Sequence, residues 1–172
     1  MTVVVQTQTP TDEKDEWRTP PDLFARLSAI YGPFGLDVAA TAHNALCRQW
    51  LGPGSRLGED ALAMHWHNPH LLGGTPLRVW CNPPYSRGMV AQFVAKAAEE
   101  TRLGFVQSAT LLLPATTDVA WWHTSVWDSE RGRFYRGVEV EFLRPRVRFL
   151  RPDGTLAGTP TFGSVAVTFY GA

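Results

Sequence analysis

Leu77-Arg78-Val79-Trp80-Cys81-Asn82-Pro83-Pro84-Tyr85 joins an apolar, strand-like run to a turn that no strand can continue through. Proline fixes φ and lacks an N–H, so Pro83 and Pro84 end the ladder near Cys81 and stiffen the turn beyond it. Open α/β sheets hold their ligands beyond the carboxyl ends of the strands, which makes this turn a candidate site. The plainer alternative is a polar turn, because Asn-Pro starts many turns.

The chemistry offered by the turn is specific. A planar exocyclic amine, such as N6 of adenine, is a poor nucleophile while its lone pair is delocalised into the ring. Two acceptors aimed at its two N–H bonds favour the tetrahedral geometry needed for attack, and the Asn82 side-chain oxygen and the Pro83 carbonyl are two such acceptors. They also stabilise the charge that develops on nitrogen as a methyl group arrives. Tyr85 offers a ring face for an extruded base.

Upstream, Thr19 reads as an N-cap, with Pro20 and Pro21 opening a helix whose Leu23, Phe24, Leu27, Ile30 and Tyr31 share one face before Gly32 and Pro33 stop it. Phe34 to Ala40 reads as a short buried strand. Asp37 is its odd member, since a buried acid needs a partner, either an arginine or a bound molecule. Downstream, Ser86 reads as the cap of a helix carrying Met89, Val90, Phe93, Val94 and Ala97 as an apolar stripe. A strand from Phe105 to Leu113 and a helix from Asp118 to Trp127 come next. The tail reads as strands at Val138 to Leu143, Val147 to Leu150 and Ser164 to Phe169, with Arg151-Pro152-Asp153-Gly154 as the turn between the last two. Alternating strands and helices, then consecutive strands, predict an α/β fold, a mainly parallel sheet with antiparallel C-terminal strands.

The 172 residues, 44% of them hydrophobic, suit one α/β domain. Residues 1–15, with an isolated Val3-Val4-Val5 and a charged run, read as a flexible N-terminus, and 16–172 as a single domain. No apolar stretch has membrane-spanning length, so a soluble intracellular protein is expected. Cys47 and Cys81 read as reduced, buried thiols. His65, His67 and His70 lack the companions of a tetrahedral metal set, so no metal is expected. Trp121, Trp122 and Trp127 read as core. Net charge is zero, yet residues 131–151 hold seven arginines against two glutamates. This is either a phosphate-binding patch or the solvated face of a strand pair.

Glu16-Trp17-Arg18-Thr19-Pro20, Leu36-Asp37-Val38-Ala39-Ala40, Asn44-Ala45-Leu46-Cys47, Trp80 to Tyr85 and Leu112-Leu113-Pro114-Ala115, taken in order, resemble the phage-type DNA N6-adenine methyltransferases of the Dam group. The resemblance covers about residues 16 to 170. It implies a Rossmann-like methyltransferase sheet, S-adenosylmethionine as methyl donor and DNA as partner, in the cytoplasm of a bacterial host and phage or prophage encoded. It places Asn82, Pro83, Pro84 and Tyr85 at the catalytic turn. Thr19, Pro20, Asp37, Asn44 and Asp60 fall at donor-binding positions, Asp37 meeting the ammonium or ribose hydroxyls and Asp60 the adenine amino group of the donor. Arg144, Arg146 and Arg148 are the candidate DNA contacts. The departure is the absence of the Gly-x-Gly usual after the first strand.

Methylation of RNA or of a protein glutamine amide is the alternative within enzymes, because both present planar amines. A DNA-binding module without activity is the alternative outside them. Monomer and homodimer are both open.

Overall fold

Val79, Trp80 and Cys81 are all buried although successive strand residues face opposite sides of a sheet. Such a strand belongs inside a sheet covered on both faces. The computed structural model of the protein describes residues 11–67, 74, 77–86, 88–158 and 160–171. Its helices are α1 (Thr11–Asp15), α2 (Pro21–Tyr31), α3 (Met89–Arg102) and α4 (Ala120–Ser125). Its strands are β1 (Leu36–Asp37), β2 (Gln49–Trp50), β3 (Arg78–Cys81), β4 (Ser108–Pro114), β5 (Trp127–Asp128), β6 (Arg133–Phe134), β7 (Val138–Leu143) and β8 (Ser164–Tyr170).

Six strands form one sheet in the order β2-β1-β3-β4-β8-β7, and β5 pairs with β6 apart from it. The pairs β1 with β2, β1 with β3 and β3 with β4 are parallel, while β8 runs antiparallel to both β4 and β7. The expected α/β class, with a mainly parallel sheet and antiparallel strands at its end, is therefore the observed one. Because β8 reverses direction once, β7 runs in the same sense as β4. Its carboxyl end at Leu143 emerges on the same edge of the sheet as the Asn82 turn.

Alternation along the strands builds two cores. Val79, Cys81, Ala109, Leu111, Leu113, Val165 and Val167 face one side, packed with Phe93, Val94 and Ala97 of α3 and Trp122 of α4. Trp80, Leu112 and Ala166 face the other, against Leu27 and Tyr31 of α2 and the rings of Trp17 and Phe149. Thr110 and Thr168, opposite one another on the central pair, bond through their hydroxyls at 2.9 Å, so neither is left unsatisfied.

Several expected boundaries move. The cap of α2 is Pro20, not Thr19; Thr19 is buried and its hydroxyl makes no capping bond. α3 starts from Gly88 at φ +85°, a left-handed position that suits glycine, rather than from Ser86. Ile30, placed on the apolar face, is 55% exposed. The first strand shrinks to Leu36–Asp37, the strand expected from Phe105 starts at Ser108, and the helix around Trp122 ends at Ser125, releasing Trp127 into β5.

Val147 to Leu150 is extended but joins no sheet ladder. Leu143, Val147 and Phe149 are buried between exposed Arg144, Arg146 and Arg148. Pro145 removes a ladder donor just past β7, and Leu150 bridges Arg18 and Leu156 instead. The Arg151–Gly154 turn therefore folds the chain back onto itself, not directly into β8. Residues 11–15 of the stretch expected to be flexible form α1. Val3 to Val5 and His70 lie outside the described residues. No helix among the described residues is long and apolar enough to cross a membrane.

Candidate active site

Asn82 comes directly after β3, and its side chain is fixed by one contact. The Asn82 amide nitrogen Nδ2 donates to the Trp17 carbonyl at 3.0 Å. A carbonyl only accepts, so the amide orientation is set by chemistry: Nδ2 faces Trp17 and Oδ1 faces away. Oδ1 is buried and has no hydrogen-bond partner among the described residues. Buried polar atoms are rarely left so, because an unmet acceptor costs about 1–3 kcal/mol. No donor from the described residues meets this atom, which lies at the candidate site.

Tyr85 is anchored at both ends. Its hydroxyl, kept protonated by burial and then by the nearby Cys81 thiol, donates to the Leu112 carbonyl at 3.1 Å. Its ring meets Phe149 and Phe162 edge-on at 5.9 and 5.8 Å. Pro83 is buried and Pro84 half-buried.

Pro84 lines a cavity of about 300 Å³ that also touches Val38, Asn44, Gly52, Asp60 and Phe93. The cavity opens beyond the carboxyl ends of β1 and β2. Two of the expected donor-binding residues, Asn44 and Asp60, are thus brought together. Asn44 Oδ1 accepts from the Thr41 backbone N–H at 2.6 Å and hydroxyl at 3.2 Å, tying its loop. Asp60 Oδ1 accepts from Leu62 N at 2.9 Å, leaving the exposed carboxylate at the rim.

Asp37 is 3% exposed, and among the described residues its partners are backbone amides rather than an arginine. Its two carboxylate oxygens accept from the backbone N–H groups of Ala39 at 3.3 Å and Leu46 at 3.1 Å, pinning the loop that forms one wall of the cavity. Burial pushes its carboxyl up to about 6, against the lowering effect of those two amides. Burial, with Asp37 nearby, also raises the Cys47 thiol to about 12 and the Cys81 thiol well above its usual value, so both stay protonated and unpaired.

Gly52, not singled out from the sequence, lies in the same wall at φ +141°. A Cβ there would sit 2.0 Å from the Ala40 carbonyl oxygen. This is a backbone approach that only glycine permits, and it occurs after β2 rather than after the first strand, where the Gly-x-Gly is absent. The Gly52-Pro53-Gly54 turn is its visible signal in the sequence. Asp15 is the other unforeseen member: it lines the cavity and its Oδ1 accepts from Ser86 N at 2.7 Å.

Thr19 and Pro20 part ways. Thr19 is buried and its hydroxyl has no partner among the described residues, whereas Pro20 lines a second groove of about 480 Å³ with Leu23, Arg144, Arg146, Arg148 and Leu156. Among the described residues the three arginines form no salt bridge, and Arg146 reaches only the Pro160 carbonyl at 3.0 Å. Arg131 and Arg151 of the same segment are instead paired with Asp128 and Glu13. Pro20 is three residues from Trp17, so a chain length of at most roughly 11 Å separates this groove from the Asn82 anchor.

His65 serves the core of the opposite face. His65 Nδ1, Lys96 Nζ and Trp66 N all meet the buried Glu100 carboxylate within 3 Å, and His65 stacks on Phe105. No metal-holding cluster occurs among the described residues.

A mainly parallel α/β sheet with a free carboxamide oxygen and a cavity at its carboxyl edge defines the class: an α/β protein with its site on the sheet edge. The family model described as DNA N-6-adenine-methyltransferase (Dam) matches residues 6–157, and the chain belongs to that family. It is 34% identical over 115 residues to the DNA N-6-adenine-methyltransferase of Escherichia phage T1, covering 67% of this chain and 42% of that protein. It is 32% identical over 71 residues to the putative methyltransferase YfdM of Escherichia coli, covering 41% of this chain and 71% of that protein. The match thus spans less than half the length of the phage T1 relative.

Proposed function

We propose that this protein transfers a methyl group from S-adenosylmethionine to N6 of adenine in DNA, on a Rossmann-like methyltransferase sheet and in the cytoplasm of a bacterial host. The observation that carries the reading is the buried Asn82 Oδ1, which has no partner among the described residues and belongs to a side chain held by Trp17 at the carboxyl end of β3.

The cavity beside it suits the donor. Val38 and Phe93 give apolar walls, while Asp60 and Asn44 stand at its rim. Glycine at position 52 allows the walls to approach closely. When bound, S-adenosylmethionine supplies a methyl group activated on a positively charged sulfur. Asp60 accepts hydrogen bonds from the donor, and Asp37 serves by pinning the 39–46 loop. Pro20 lines the arginine groove rather than this cavity, and Thr19 is buried.

The chain's own part in the transfer is electrostatic and positional. Asn82 Oδ1 and the Pro83 carbonyl accept from the two N–H bonds of N6, pulling the amine out of plane. Nitrogen then has a lone pair free for the methyl group. The nitrogen–carbon bond would form as the methyl–sulfur bond breaks and leaves a neutral thioether. The positive charge on the amine would be met by two oxygens that need no reorganisation, and the surplus amine proton would leave to solvent. An adenine reaches this site only when flipped from the stack, and Tyr85 borders its place. Arg144, Arg146 and Arg148 hold backbone phosphates on the same edge.

Incubation with labelled S-adenosylmethionine and, separately, duplex DNA, RNA and protein tests the reading. Label is expected on DNA, recovered as N6-methyladenine. Label on RNA or protein alone would overturn it, and failure to bind the donor by calorimetry would favour a binding module.

A further inference from the structure

We infer that Asp15 is a positioning residue for the Asn82-Pro83-Pro84-Tyr85 turn, acting by holding the backbone N–H of Ser86; this rests on the proposed role of Asn82. A turn with two prolines has few handles. Pro83 and Pro84 have no N–H, so from Asn82 to Ser86 the backbone offers donors only at Asn82, Tyr85 and Ser86. The upstream end is fixed because Cys81 is paired with Leu111 in the sheet. The downstream end has no strand to hold it, and α3 does not start until after Gly88.

Asp15 supplies the missing tie. Its carboxylate oxygen lies 2.7 Å from Ser86 N, a short, charge-assisted hydrogen bond. Two residues on, the Trp17 carbonyl holds the Asn82 side chain. One N-terminal segment therefore grips the turn at both ends. The segment is itself fastened: Glu13 pairs with Arg151 at 3.1 Å, and Arg18 and Leu150 exchange backbone hydrogen bonds at 2.8 and 3.0 Å. Local helix preference does not account for the acid, because Asp15 closes α1, where the helix dipole disfavours negative charge. Its value lies in the tertiary contact. Asp15 touches Ser86 rather than the target amine, so its influence on transfer runs through the position of Asn82 Oδ1, where small displacements are costly.

The test compares Asp15→Ala with Asp15→Asn, since the Asn oxygen can accept the same N–H. Asp15→Ala is expected to lower kcat about tenfold with the dissociation constant for duplex DNA within about twofold of wild type. Asp15→Asn is expected to recover kcat to within about threefold of wild type. Wild-type kcat in Asp15→Ala, equal loss in both variants, or a loss confined to donor affinity would each overturn the inference. Hydrogen exchange at the Ser86 amide gives a readout that needs no methyl transfer. It should quicken about tenfold in Asp15→Ala and not in Asp15→Asn. Unchanged exchange in Asp15→Ala overturns the role even if the wild type proves unable to methylate DNA, an outcome that would sink the proposed function separately.

Discussion

The indole of Trp17 lies stacked on the ring of Phe149, with centroids 5.2 Å apart and planes 20° from parallel. That stack fastens the segment that orients Asn82 to the segment that carries the arginines. Phe149 is fully buried, so Phe149→Ala removes both a stacked partner and core volume. A loss of about 3–5 kcal/mol in chemical denaturation is expected, with slower methyl transfer at temperatures where the variant stays folded. Retained stability would show that the stack does not secure the N-terminal segment.

Asn82→Ala removes the free acceptor and strands the Trp17 carbonyl. Methyl transfer should fall by at least about a hundredfold while S-adenosylmethionine affinity stays near wild type. Single-turnover rates and calorimetry on one preparation separate the two effects. Undiminished transfer would remove Asn82 from the mechanism.

Asp37 makes a signed prediction for pH. Its carboxyl is raised to about 6 in the folded protein from the ordinary 3.8, so between these values the folded state binds the proton that the unfolded state has released. The stability contributed is fully present below the unfolded value of 3.8 and is lost as pH rises through 6. Relative to Asp37→Asn, which cannot titrate, the wild type should lose roughly 3 kcal/mol at most over this interval. Denaturation curves at about pH 4, 5, 6 and 7 measure the slope, and a difference that is flat or grows with pH contradicts it. Because the carboxylate pins the loop, the same variant should also bind donor more weakly.

Arg144, Arg146 and Arg148 predict a salt signature. Replacing all three with Gln should weaken duplex binding uniformly across sequences and lessen the dependence of log K on log salt by up to about 3. Fluorescence anisotropy at several salt concentrations reads both quantities. An unaltered slope would assign the arginines to the solvated surface.

Gly52→Ala places a methyl group against the Ala40 carbonyl at a backbone angle that L-residues avoid. The wall of the cavity must shift, so stability should fall by about 1–3 kcal/mol and donor affinity with it. Thermal melts with and without S-adenosylmethionine distinguish the two losses.

The parts legible in the sequence are those whose signal is local. β4 and β8 are mostly apolar runs buried on both faces, and α3 carries a regular stripe, so pattern alone locates them. The Asn82 turn announces itself because two prolines after an apolar run leave few alternatives. β2 is two residues long and has no period to read, and β5 with β6 is equally brief. The partners of Asp37 are hidden for another reason: they are backbone amides, and one lies nine residues away along the chain. Backbone donors carry no residue identity. The grip of Asp15 and Trp17 on the turn spans 71 and 65 residues and leaves no mark on periodicity.

The single reversed strand β8 has a consequence for how the chain can vary. β7 ends at the rim where the Asn82 turn stands and β8 starts back from the same rim, so the arginine-bearing excursion from Arg144 to Gly163 hangs from two well-registered strands like a loop from a frame. Its length and charge can change around Gly154, an exposed turn at φ +83°, while the registers of β7 and β8 stay as they are. The arginines can thus diversify in one excursion, separately from the sheet that carries the Asn82 turn.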